Sequence, residues 1–198
     1  MTKTVCIAGA TGWAGSALTK AVHEQTDMQV VGAVSRTHKG EKLSLVLGLE
    51  KTDVIITDSV TKESLSDVRV LVEFTKPDVA MDHIMTALDA GVHVVVGTSG
   101  LTDADYDKIH EKALKKSLGV LAAGNFALTV VLLQKFSEIA ARFIPQWEII
   151  DYASDAKKDA PSGTARELAF RLSQVRPSQR TVPLADTQGS IEARGADM

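Results

Sequence analysis

The sequence predicts an α/β protein: a parallel sheet with helices on both faces, followed by a second region that opens on a long apolar helix. Three observations predict it. Short apolar runs alternate with amphipathic stretches from Thr4 to Ala123, the pattern of a parallel sheet. The first run ends in a glycine loop that opens a helix. After Asn125 the alternation gives way to one largely apolar helical stretch, 127–143.

Taken in order, Thr4 to Ala8 reads as a buried strand and leads into Gly9-Ala10-Thr11-Gly12-Trp13-Ala14-Gly15. A helical pattern follows through Ala17, Leu18, Ala21 and Val22, and then a second apolar strand, Val30 to Val34. In this setting the three glycines divide the work. Gly9 makes the tight turn, Gly12 lets the backbone approach a pyrophosphate, and Gly15 lets helix and strand pack closely. Thr11, Trp13 and Ala14 complete the expected phosphate loop. The order strand, glycine loop, helix, strand predicts a Rossmann-like dinucleotide-binding domain, expected over 1–126.

The second strand ends in Ser35-Arg36-Thr37-His38-Lys39, where a carboxylate would accept from the ribose hydroxyls of NAD. None is present. Ser35 and Arg36, with the cationic Lys39, suit a 2′-phosphate, because a guanidinium matches phosphate geometry. The expected cofactor is therefore NADPH, with NADH possible.

Val54-Ile55-Ile56 is expected to be a short strand and Val68 to Phe74 a stronger one. A helix carrying Val79, Ile84, Ala87 and Leu88 should end at Gly91, before a strand from Val92 to Val96. Thr102 or Asp103 opens a polar helix running to Lys116, and Gly119 to Ala123 is the last strand of this half. Ligands of parallel sheets bind beyond the carboxyl ends of the strands. Phe74-Thr75, Gly97-Thr98-Ser99 and Asn125-Phe126 are accordingly expected to line the nicotinamide side. His83, His93 and His110 lie within elements and are read as structural or surface residues.

The second region is expected over 127–198. Its apolar helix should be buried between layers or against another subunit, and Pro145 ends it. Trp147 to Tyr152 reads as a strand, and Ser190 to Arg194 as a possible further one. Between them, Lys157-Lys158-Asp159-Ala160-Pro161-Ser162-Gly163-Thr164-Ala165 reads as a loop feeding a helix capped by Ser162 or Thr164. That helix carries Leu168, Ala169 and Leu172 on one face. Unpaired amides at a helix start, two hydroxyls and the ammonium of Lys157 or Lys158 would hold a small carboxylate or phosphate.

Composition excludes several classes. A net charge of −3 with no basic tract argues against a nucleic-acid partner. The single cysteine, Cys6, rules out a disulfide framework and points to a reduced, cytoplasmic compartment. No apolar run reaches membrane-spanning length, and no His, Cys and carboxylate cluster has metal-ligand spacing.

The glycine loop, Glu73-Phe74-Thr75-Lys76-Pro77, Gly97-Thr98-Ser99-Gly100, Asn125-Phe126 and above all Lys157 to Ala165 resemble, in their order, the motifs of dihydrodipicolinate reductases, now called 4-hydroxy-tetrahydrodipicolinate reductases. The resemblance covers essentially the whole chain, and its Asp-Ala-Pro-Ser-Gly-Thr-Ala segment is specific to that family. It implies a Rossmann-like domain plus an α+β mixed-sheet substrate domain that also builds a homotetramer. It further implies NADPH-dependent reduction of a cyclic imine or enamine bearing two carboxylates, in lysine and diaminopimelate synthesis. By position, Lys157 matches the family's catalytic lysine. Gly163 and Thr164 match its carboxylate contacts, with Ser162 beside them, and Thr98 falls in the nicotinamide segment.

Two departures stand out. The family carries His-His-Arg-His before the lysine, and its first histidine is the proposed proton donor. Here the run is Ala153-Ser154-Asp155-Ala156, which leaves Tyr152, Asp155 and Lys158 as local groups able to move a proton. The chain also stops at Met198, where family members continue with more strands, so the substrate sheet is expected to be incomplete. Two other readings remain open: a reductase of another carboxylated cyclic imine, and a non-catalytic NADPH-binding regulator.

Overall fold

A computed structural model describes residues 2–152 and 161–189. The chain forms two compact units, Met1–Ala123 and Gly124–Met198.

The first unit is a five-stranded, all-parallel sheet of order β2-β1-β3-β4-β5. Its strands are β1 (Lys3–Ala8), β2 (Met28–Val34), β3 (Val70–Glu73), β4 (His93–Val96) and β5 (Val120–Ala122). Four helices accompany them: α1 (Trp13–His23), α2 (Leu43–Leu47), α3 (Pro77–Asp89) and α4 (Asp103–Lys116). This is the expected Rossmann-like architecture. The chain leaves β1 toward β2 on one side and returns to β3 on the other, so the direction of strand addition reverses at β1.

Strand side chains alternate, and the two faces build two cores. On one face Cys6, Ala8, Leu71, Val94 and Val96 pack with Ile84, Ala87 and Leu88 of α3 and with Ile109 and Ala113 of α4. On the other, Val5, Ile7, Val30 and Val72 pack with Val22 of α1 and Leu43 of α2. Each fully buried Ile or Leu contributes roughly 1.5–3 kcal/mol of transfer free energy. Burial also pushes the Cys6 thiol up to about 12, so it behaves as a small apolar side chain.

The helix boundaries follow local chemistry. Thr102 caps α4 by accepting from the Asp105 amide, while the Asp105 carboxylate takes the Thr102 amide in return. Pro77 starts α3 at a position where its missing N–H costs nothing.

One expected strand of this unit does not form. Residues 54–57 make only isolated bridges, Ile55 with Lys42 and Thr57 with Val34. Their hydrogen bonds are divided: the Ile56 amide bonds the Glu41 carbonyl, while the Thr57 amide bonds that of Ala33. Serving two partners, the segment builds no ladder, although Ile56 is buried.

In the second unit the described residues form α5 (Leu128–Ala141), α6 (Gly163–Val175) and a short 3₁₀ turn, Leu184–Asp186. Arg171 of α6 ties the two helices together by bonding Glu138 of α5 at 3.1 Å and Glu167 of its own helix at 2.8 Å. The strand expected at Trp147 to Tyr152 is absent, because its backbone has no ladder partner among the described residues. The Trp147 amide instead bonds the Ser178 hydroxyl at 3.2 Å. The mixed sheet is accordingly not seen among these residues, and the possible strand at 190–194 lies outside them. The α5 helix buries only Gln134 and Ala141. Leu128, Leu133, Phe136 and Ile139 are exposed, so the layer expected to cover this helix is not supplied by the described residues of this chain.

Candidate functional site

In the first unit the loops that follow β1, β2, β3 and β4 sit at the carboxyl edge of the sheet. The β1 loop is shaped by its glycines. Gly9 turns the chain at φ 84°, where a Cβ would run into the Phe74 carbonyl oxygen. The Gly9 and Ala10 amides bond the Val34 carbonyl at 2.9 and 3.1 Å, which ties the turn to the end of β2. A Cβ on Gly15 would strike the Gly9 carbonyl, so only glycine lets α1 start this close to the turn. Gly12 is the N-cap and contributes no side-chain cap. Gly12 and Trp13 are exposed and Thr11 and Ala14 half-buried, so the positive end of an eleven-residue helix opens to solvent at this loop.

At the end of β2, buried Ser35 shares a 2.7 Å hydrogen bond with Thr11 and a 3.3 Å contact with Thr37. Arg36 is exposed. Lys39 is not an unpaired cation, since its ammonium bonds Asp58 at 2.6 Å. That hydrogen bond holds the Asp58 carboxyl below the usual carboxylate range. Of the two expected cations, Lys39 has its charge matched by a neighbouring carboxylate.

At the ends of β3 and β4 the Phe74 ring lies where a Cβ on Gly97 would be. The Thr75 amide donates to the Thr98 hydroxyl at 2.8 Å, while Ser99 is exposed. Beneath them lies a group to which the sequence alone assigns no joint role. Glu73 is fully buried. Its Oε1 accepts from the Thr75 amide at 2.9 Å, from the Thr75 hydroxyl, and from the Thr98 hydroxyl at 3.2 Å. Its Oε2 meets Nδ1 of buried His83, in α3, at 2.8 Å. His83 is thus structurally engaged and has a partner that spacing alone did not indicate. Two signals were available: an ionisable residue ending an apolar strand, and a histidine in phase with buried Ala80, Ile84 and Ala87.

The second unit assembles its own group. Ser162 is the N-cap of α6, and its hydroxyl accepts from the Ala165 amide at 3.1 Å. Of the two expected caps, Ser162 is the one used. Asp151, also unremarked in the sequence, takes the Ser162 amide at 2.7 Å and its hydroxyl at 3.1 Å. The Ser162 donors are therefore already directed to a carboxylate of this chain, whereas Gly163 and Thr164 are exposed at the helix start. Asn125 donates from Nδ2 to the Thr164 hydroxyl at 3.0 Å, and Phe126 is half exposed. Lys157, Lys158 and Ala153 lie outside the described residues. Among the described residues no metal-binding cluster occurs, and no helix is long and apolar enough to cross a membrane.

Comparison with known proteins places both units in one family. A family model described as dihydrodipicolinate reductase, N-terminus, matches residues 3–126, and its C-terminus counterpart matches residues 129–197. A 4-hydroxy-tetrahydrodipicolinate reductase of Bacillus licheniformis is 38% identical over 193 residues, covering 98% of this chain and 72% of the relative. One from Halalkalibacterium halodurans is 37% identical over 194 residues, 98% of this chain and 74% of the relative. Among solved structures, the dipicolinate-bound dihydrodipicolinate reductase of Paenisporosarcina sp. TG-14 superposes with a TM-score of 0.77 at 32% identity, covering 100% of this chain and 76% of that one.

Proposed function

The chain belongs to the dihydrodipicolinate reductase family, and on that premise we propose that it reduces 4-hydroxy-tetrahydrodipicolinate to tetrahydrodipicolinate with NADPH, NADH serving as a second donor. It is an NAD(P)H-dependent oxidoreductase, and its Rossmann-like unit binds a nicotinamide dinucleotide. The observation that carries the reading is the Asn125–Thr164 hydrogen bond at 3.0 Å. It joins, inside one unit, a residue expected on the nicotinamide side to the helix start expected to hold substrate.

Each part of the site has a task. The exposed start of α1, with Gly9, Thr11, Gly12, Trp13, Ala14 and Gly15, fits a pyrophosphate, because no side chain occupies the cap. Arg36, with the Ser35 and Thr37 hydroxyls, would hold the 2′-phosphate, and Lys39, shared with Asp58, adds less to that preference. Phe74, Thr75, Gly97, Thr98, Ser99, Asn125 and Phe126 would seat the nicotinamide, which when bound supplies the hydride. Gly163 and Thr164 would take one substrate carboxylate at the α6 start, and Ser162 shapes that helix start by capping it. Lys157 would add the cation that orients the ring, so the protein's contribution is positioning and electrostatics. With Ala153 in the family's donor position, the proton would come from Tyr152, Asp155 or Lys158, directly or through water, rather than from a histidine. The exposed α5 face would pack in a homotetramer, and the compartment would be cytoplasmic.

The test is NADPH oxidation followed by absorbance with freshly generated 4-hydroxy-tetrahydrodipicolinate, in the chain and in its Lys157→Ala variant. Loss of one electrostatic contact to the reacting species costs about 100- to 1,000-fold in turnover. A drop of that size is expected with NADPH binding unchanged. Tight NADPH binding without turnover in the parent chain would overturn the assignment.

A further inference from the structure

Glu73 is the most completely buried ionisable side chain described in the first unit, and its environment is specific. An isolated carboxylate is costly to bury, and the neighbouring strand positions of β3 are filled by Val and Leu. Its bonds do not go to the core. Through Oε1 it reaches Thr75, on the loop after β3, and Thr98, on the loop after β4. These loops follow different strands, and Glu73 is the shared acceptor that fixes their spacing. His83 holds Oε2 from α3 and so sets the carboxylate's orientation.

The hydrogen bonds also have a direction. A carboxylate that accepts from both threonines uses the hydrogens of both hydroxyls. Thr98 then receives the Thr75 amide on its lone pair. The half-buried Thr75 hydroxyl is left with lone pairs alone to offer a ligand. A site arranged in this way takes a donor and disfavours an acceptor.

We propose that Glu73, held by His83, is a positioning residue that turns the Thr75 hydroxyl into an acceptor for the amide N–H of the nicotinamide carboxamide. The inference rests on the reading of the β3 and β4 loops as the nicotinamide side. It explains why a carboxylate, rather than an apolar residue, ends β3.

The test compares binding of oxidised NADP with its 3-acetylpyridine analogue, in which a methyl ketone replaces the carboxamide and no N–H remains. A site built around one buried hydrogen bond rejects the ligand that lacks the partner, here by about tenfold. The parent chain should show that preference. Glu73→Leu, which leaves no acceptor at this position, should reduce it to about twofold or less, because the Thr75 hydrogen is then released to donate to a ketone. Binding of 2′,5′-ADP, which carries only the adenosine half, should not change and reports that the fold is intact. If Glu73→Leu does not fold, the His83 pair decides. His83→Gln keeps a donor toward Oε2 and should retain the preference, whereas His83→Leu should lose it. An unchanged preference in Glu73→Leu, or an equal loss in both His83 variants, would overturn the inference and leave the dinucleotide reading standing. A parent chain that binds the dinucleotide without preference would do the same. A parent chain that binds neither dinucleotide nor 2′,5′-ADP would overturn both.

Discussion

The two units solve the burial problem in opposite ways. In the first, helices cover both faces of the sheet, and most large apolar side chains pack into one of two cores within the unit. In the second, the buried apolar residues described are Ala141, Ala165, Ala169 and Leu172. Phe136, Leu128, Leu133, Phe143, Ile150 and Phe170 stand exposed there. The first unit carries its own stability. The second carries surface that gains stability only from something packed against it, since monomeric proteins rarely leave large contiguous apolar patches in water.

The largest effect expected from this contrast is on stability. Ile84→Ala removes a fully buried side chain between α3 and the sheet. It should cost about 2–5 kcal/mol in chemical denaturation. Phe136→Ala, at 63% exposure, should cost under about 0.5 kcal/mol in dilute protein. Equal losses would mean that α5 is packed in solution as firmly as α3, and the contrast would fall.

Next in size is association. If the α5 face is covered by another copy, Phe136→Glu should lower the solution mass measured by light scattering and leave the unfolding free energy of the dilute protein, from urea denaturation, within about 0.5 kcal/mol. An unchanged mass would show that this face is not the association surface.

The same contrast explains what was legible in advance. Gly9 and Gly15, the Thr102 cap, Pro77 and the alternating runs of β1 to β5 are local signals answered by local partners, so the parallel sheet could be read directly. Residues 54–57 failed as a strand because their hydrogen bonds are divided between two partners, which no periodicity encodes. Trp147 to Tyr152 has strand composition, but a strand forms only when a neighbour accepts its ladder, and none is present among the described residues. At the site, the glycine and Ser-Gly-Thr motifs were visible because each is contiguous. Glu73 with His83, and Asp151 with Ser162, were not, because each pair is made by tertiary folding.

A smaller effect probes how the second unit holds itself. Ser162 joins Asp151 to the start of α6 and caps that helix. Ser162→Ala should cost about 1 kcal/mol of helix stability. Thermal melting followed by Trp147 fluorescence in a Trp13→Phe background would report it, because the Trp147 indole bonds the Arg176 carbonyl at 3.2 Å beyond the end of α6. No shift in that signal would mean that α6 does not depend on its cap.

The smallest effect is electrostatic and has a direction. Lys135, and after it Arg171, hold the Glu138 carboxyl below its ordinary value. The unfolded chain therefore takes up this proton at higher pH than the folded one. The stabilisation is complete above the ordinary carboxylate range and is lost as pH falls through the lowered folded value. Arg171→Met removes the link from α6 to Glu138, a partly exposed pair, and should cost about 1 kcal/mol near neutrality. The gap between Arg171→Met and the parent should then narrow as pH falls below about 4, where carboxylates protonate. The same Trp147 signal, read from pH 7 to 3, checks it. A gap that stayed constant across that range would show that Arg171 joins the helices by packing of its stem rather than by charge. The second unit's only described bridge between α5 and α6 of this kind would then be apolar in effect, and the contrast with the first unit would be one of degree.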